Sequence, residues 1–114
     1  MDNYQPVLND VFHALADPTR RAVLRQLTRG PASVSELAKP FEMALPSFMK
    51  HLAVLEASDL IRSRKTGRVR TCRLKPRKLA RAERWLADQR AIWEDRTDRL
   101  AAYAESRASK ETKV

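Results

Sequence analysis

At 114 residues the chain suits one small domain with a modest core, and domains of this size bury a low fraction of their surface, so help from a second copy is expected. Lys and Arg number 23 against 14 Asp and Glu, a formal charge of +9 with a pI near 10.4, which points to a polyanionic partner; nucleic acid is favoured over a membrane because the cations gather on a predicted hairpin. A single cysteine excludes an internal disulfide, and with no signal-like segment or run of ~20 apolar residues in the sequence the expected compartment is the cytoplasm.

In chain order, residues 7–16 place Leu8, Val11, Phe12 and Leu15 at the i, i+3, i+4 and i+7 spacing of an amphipathic helix with one face to bury. Asp17-Pro18 then breaks the chain and starts a second helix, to about Thr28: Asp accepts from the free amides of the first turn, and Pro is pre-set for the first helical position. Its core candidates are Val23, Leu24 and Leu27, which leaves Arg20, Arg21 and Arg25 towards solvent or phosphate. Gly30-Pro31 ends it. Ser33 to Glu36 has the spacing of a capping box for a third helix over 34–41, with Leu37, Ala38 and Phe41 inward and Pro40 kinking the last turn.

After a tight turn, Pro46 opens a fourth helix to Ala57, although Ala44 and Leu45 are poor caps. At 100° per residue Phe48, Leu52 and Leu55 form its core arc. The outward side of the first two turns then carries Ser47, Met49 and Lys50, beside Pro46 and with His51 nearer the core edge. A hydroxyl, a thioether and an ammonium suit base edges and phosphates: Ser donates or accepts, Met meets a thymine methyl, Lys meets guanine. His51 reads as a hydrogen-bonded structural residue or a phosphate contact. Taken alone, the face is indistinguishable from an exposed helix surface of ordinary composition.

The hairpin over 61–74 decides between the two. From Arg62 to Lys78 there are nine basic residues and no acidic one, and Gly67 turns the first strand back onto the second. Arg62, Arg64, Lys65, Arg68 and Arg70 would repel one another unless a polyanion neutralised them. Cys72 and Leu74 alternate onto one face, so the thiol is expected half-buried, as packing. Two helices joined by a turn and succeeded by a basic ribbon are the layout of a winged helix-turn-helix, whose second helix enters the major groove. The fold class is thus mainly α with a small β-hairpin. A last helix over about 77–106, ~45 Å long, repeats Leu79, Leu86, Trp93 and Leu100 every seven residues. A stripe that long needs a partner, so a homodimer is expected through Leu8, Val11 and Phe12 of the first helix and Leu79, Leu86, Trp93 and Leu100 of the last. Residues 1–106 form the expected DNA-binding domain, and 107–114 a disordered tail.

Several segments together resemble the ArsR/SmtB family of bacterial winged-helix repressors: Ala14-Leu15-Ala16-Asp17-Pro18-Thr19-Arg20-Arg21, Ser33-Val34-Ser35-Glu36-Leu37-Ala38, His51-Leu52-x-Val54-Leu55-Glu56 and Arg64-x-x-Gly67-Arg68-Val69-Arg70. The resemblance covers residues 7–103 and implies a homodimer built from the first and last helices, a recognition helix at 46–57 and a wing at 61–74. Many members carry serines where Pro46 and Met49 stand, so base preferences do not transfer. Ser58-Asp59 replaces a usual Ala-Gly, at a turn where Asp tolerates the left-handed conformation better than most residues. Metal sensors of the family use cysteines on the helix before the turn, or carboxylate and histidine ligands on the last helix. Residues 34–41 hold no Cys and no His follows His51, so no metal and no cofactor are expected. An enzyme is disfavoured by the lack of a Gly-rich phosphate loop or a nucleophile arrangement. The competing class is a protein-interaction module or antitoxin-like adaptor, which would need the helices but not the wing charge. A small-molecule effector is compatible with the family and is not identified by the sequence.

Overall fold

The computed structural model describes residues 5–111, in the order α1 (Gln5–Leu15), α2 (Pro18–Leu27), β1 (Ala32–Ser33), α3 (Val34–Ala38), α4 (Leu45–Ala57), β2 (Ile61–Thr66), β3 (Val69–Leu74) and α5 (Pro76–Glu111). The chain divides into two compact units, one ending at Ala82 and one beginning at Glu83.

The first unit is set by its caps. Asp17 accepts the Arg20 amide at 3.0 Å with Pro18 in the first turn of α2. Ser33 and Glu36 exchange reciprocal 3.1 Å bonds at the start of α3, the expected capping box. α4 starts at Ala44 with no side-chain cap. Between these helices lies a core whose largest fully buried members are Phe48, Leu37, Leu55, Leu60, Ile61, Val11, Val23 and Cys72. Phe41 closes it at one side, its ring stacked 5.6 Å from Phe48.

The hairpin registers Ile61 opposite Leu74 through Thr66 opposite Val69. Its two-residue loop has positive φ at Gly67 (63°) and not at Arg68, the pattern of a type II′ turn. Asp59 takes φ 60°, the left-handed conformation that the turn after α4 requires. Its carboxylate holds Lys75 at 2.7 Å and Lys78 at 3.7 Å.

Several expectations are corrected. The hairpin is part of a three-stranded antiparallel sheet of order β1-β3-β2, because Ala32 and Ser33 pair with Cys72 and Thr71. Flanked by both neighbours, Cys72 is 1% exposed rather than half-buried. α3 ends at Ala38 and not at Phe41, since Pro40 has no N–H to continue the ladder. Val11, expected at a dimer surface, is fully buried in the core of the first unit. Arg20, expected towards solvent, is 9% exposed.

The second unit, residues 83–111, is helical throughout, five residues beyond the expected end at 106; the rest of the expected tail, 112–114, lies outside the described residues. Arg90–Glu94 and Asp95–Arg99 form i,i+4 ion pairs at 3.8 and 2.9 Å along it. Leu86, Ile92, Trp93, Leu100 and Tyr103 are exposed, Trp93 by 65% and Leu100 by 69%.

Candidate nucleic-acid interface

α4 buries Phe48, Leu52 and Leu55 and so turns Pro46, Ser47 and Lys50 to solvent. Met49 is half-buried instead of fully outward: it packs on the core's edge and forms one wall of a groove of about 370 Å³. The other walls are Ser33, Val34 and Ser35 from β1 and α3, and Lys65, Arg68, Val69 and Arg70 from the wing.

Strand alternation sorts the wing cations into two sets. Ile61 and Ser63 face α4, so Lys65 does too, and its cross-strand partner Arg70 shares the face of Cys72. Arg62 and Arg64 project from the reverse face, where Arg62 stands opposite Arg73. The groove therefore brings Lys65, Arg68 and Arg70 together beside α4, and does not include Arg62 or Arg64. Among the described residues none of Arg62, Arg64, Lys65 and Arg68 has a carboxylate within ion-pair distance, whereas Lys75 and Lys78 of the same basic run are held by Asp59.

Two polar links tie α4 to its supports, and neither is visible in the sequence. At the end of α4, Glu56 accepts from the Ser63 amide (3.1 Å) and hydroxyl (2.9 Å), while Arg70 reaches the same hydroxyl at 3.4 Å. On the other side, the Arg20 guanidinium donates to Ala14 O (2.8 Å) and His13 O (2.9 Å) at the end of α1, and its Nη1 lies 3.1 Å from His51 Nδ1. His51 is 31 residues from Arg20, a separation for which spacing rules give no signal. Asp17 Oδ2 stands 3.6 Å from the same imidazole nitrogen. Burial would raise the Asp17 carboxyl, but the Arg20 and Thr19 amides and the Arg20 charge bring it below its ordinary value. Burial pushes the Cys72 thiol up, and the Glu56 charge adds to that.

No group of three or more His, Cys, Asp or Glu side chains among the described residues is arranged to hold a metal ion, and no described helix is long and apolar enough to cross a membrane.

A helix-turn-helix whose second helix is flanked by an unneutralised basic ribbon defines a winged-helix protein of the DNA-binding class. Comparison with known proteins agrees. The helix-turn-helix domain family matches residues 15–64. The crystal structure of an ArsR family transcriptional regulator superposes with a TM-score of 0.78 at 61% identity, covering 82% of this chain and 97% of that one. The HTH-type transcriptional regulator Rv2034 of Mycobacterium tuberculosis is 41% identical over 69 residues, 60% of this chain and 64% of its own. The transcriptional repressor SdpR of Bacillus subtilis is 35% identical over 60 residues, 53% of this chain and 67% of its own. The matched segment thus spans under two thirds of Rv2034 and about two thirds of SdpR. The chain belongs to the ArsR family of helix-turn-helix transcriptional regulators.

Proposed function

We propose that the protein is a homodimeric, sequence-specific repressor acting on double-stranded DNA in the cytoplasm. The observation that carries this reading is the groove in which Met49 of α4 meets Lys65, Arg68 and Arg70, with no neutralising carboxylate among its lining residues. Pro46, Ser47, Met49 and Lys50 are assigned to the major groove, and His51, on the same helix, to a DNA contact at the edge of that face. Wing cations are assigned to phosphate or the minor groove, with Arg62 and Arg64 reaching backbone from the reverse face. Dimerisation is supported by the exposed apolar stripe of α5, in which Leu86, Trp93 and Leu100 lie seven residues apart, an arrangement that costs solvation unless another helix covers it. Leu8, Phe12 and Leu79, partly buried against the core, are assigned to the same interface. The name of SdpR supports repression.

A dimer of this kind places its recognition helices in successive major grooves, with half-sites ~34–36 Å apart or a multiple of that distance. Sedimentation without DNA, then footprinting on the DNA upstream of the protein's own gene, tests this. A dimer at micromolar concentration and a two-fold symmetric footprint are expected; a stable monomer that protects a single half-site overturns the reading.

A further inference from the structure

The Arg20–His51 contact fixes more than packing. Arginine has five N–H donors and no acceptor, so at 3.1 Å the His51 Nδ1 is the acceptor and carries no proton. The ring proton is then on Nε2. The guanidinium is anchored before it meets the imidazole, because its Nε donates to Ala14 O and its Nη2 to His13 O, both at the end of α1. Asp17 Oδ2, at 3.6 Å, is within ion-pair range of Nδ1 but beyond hydrogen-bond distance, so the hydrogen bond at this nitrogen is the one with Arg20.

The other ring nitrogen has no partner among the described residues. No side-chain nitrogen or oxygen of those residues is buried without a hydrogen bond, so Nε2–H is open to solvent. It belongs to the residue directly after the exposed Lys50 on α4.

We infer that Arg20 is a positioning residue that holds His51 in its Nε2–H tautomer and presents that N–H as a hydrogen-bond donor to DNA. Backbone phosphate is the acceptor that this chemistry favours, since the donor sits near the core edge of the helix and not on its outermost line. Arg20 itself stays inside the protein and contacts no nucleic acid. The contact also ties the pose of α4 to the end of α1, because one guanidinium bonds both. This inference rests on the reading of α4 as the DNA-contacting helix.

Two substitutions separate the ring nitrogens. In His51→Asn the side-chain oxygen takes the place of Nδ1 and still accepts from Arg20, while nothing reaches the Nε2 position. In His51→Gln the amide nitrogen takes the place of Nε2 and still donates, while the acceptor facing Arg20 is lost. Binding to the DNA upstream of the protein's own gene is measured for both, well below their melting temperatures, with Ser47→Ala and Lys50→Ala alongside. His51→Asn is expected to melt near the wild type and bind about tenfold more weakly, the loss of one hydrogen bond to a charged acceptor. His51→Gln is expected to retain more of the affinity and melt lower. Imidazole nitrogen NMR of the wild type, which needs no variant to fold, is expected to show the Nε2–H tautomer, with the ring proton protected from exchange in the complex. Wild-type affinity for His51→Asn, or an Nδ1–H tautomer in the free protein, overturns the inference. If Ser47→Ala and Lys50→Ala weaken binding in that same series, the failure is confined to His51; if they too bind as the wild type, the reading of α4 falls with it.

Discussion

Glu56 Oε1 accepts both the backbone amide of Ser63 and its hydroxyl, at 3.1 and 2.9 Å, and so joins the end of α4 to the outer strand of the sheet. β2 is an edge strand, and an edge amide left to itself is a site for water or for another chain. Glu56 takes that role inside the protein and fixes the wing's base against α4. Glu56→Ala is therefore expected to cost ~1–3 kcal/mol in urea unfolding, at ~0.5–1.5 kcal/mol for each of the two hydrogen bonds lost. Amide exchange at Ser63 should accelerate more than at Cys72, which lies inside the sheet. Unchanged exchange at Ser63 in this variant would show that the link does not hold the wing.

Three carboxylates give stability a pH dependence of defined sign. The Ser33 amide and hydroxyl hold Glu36 below its ordinary value of 4.5. The Lys75 hydrogen bond is the largest influence on Asp59 and, with Lys78, keeps it below 3.8. Asp17 is lowered as well, the N-cap hydrogen bonds and the Arg20 charge outweighing burial. In each case the unfolded chain takes up its proton first, so the stabilisation is complete above the ordinary carboxylate range and is lost as pH falls through the lower folded values. The melting temperature should hold steady down to about pH 5 and then fall, and Asp59→Asn should remove part of that fall. A melting temperature that rises on acidification contradicts the assigned sign.

Cys72 is 1% exposed, between Ala32 and Ser63 in the sheet, and burial raises its thiol above the ordinary value of 9.0. Thiolate is the reactive form, so a thiol reagent should modify the folded protein slowly and the urea-unfolded protein fast. Cys72→Ser should bind DNA as the wild type does, with oxidant and without it. Rapid stoichiometric labelling of the native protein would place the thiol on an accessible surface.

Local chemistry makes most of the fold legible. Asp17-Pro18, Ser33 with Glu36, and Gly67 each act within four residues, and each stands where the sequence indicates. The arc of Phe48, Leu52 and Leu55 is likewise a property of one helix. The features that escape depend on distant partners. Ala32-Ser33 is too short for any period-2 pattern, and it becomes a strand because Cys72 and Thr71 supply the ladder. Arg20 reads as solvated charge in sequence because its acceptors, the carbonyls that close α1, are backbone atoms without a residue signature. The nine-cation run reads as one patch in sequence, yet strand alternation divides its wing members and Asp59 neutralises two of the rest.

The proposed function divides the labour: α4 reads bases and the wing holds backbone. Its most direct test is a salt series of binding to the DNA upstream of the protein's own gene and to random DNA, for the wild type, Lys50→Ala and Arg68→Ala. Arg68→Ala should weaken both DNAs alike and flatten the log–log salt slope by about one unit. Lys50→Ala should cost ~1–3 kcal/mol on the specific DNA and little on the random one. The division of labour is contradicted if Lys50→Ala weakens both DNAs equally while Arg68→Ala abolishes only the specific complex.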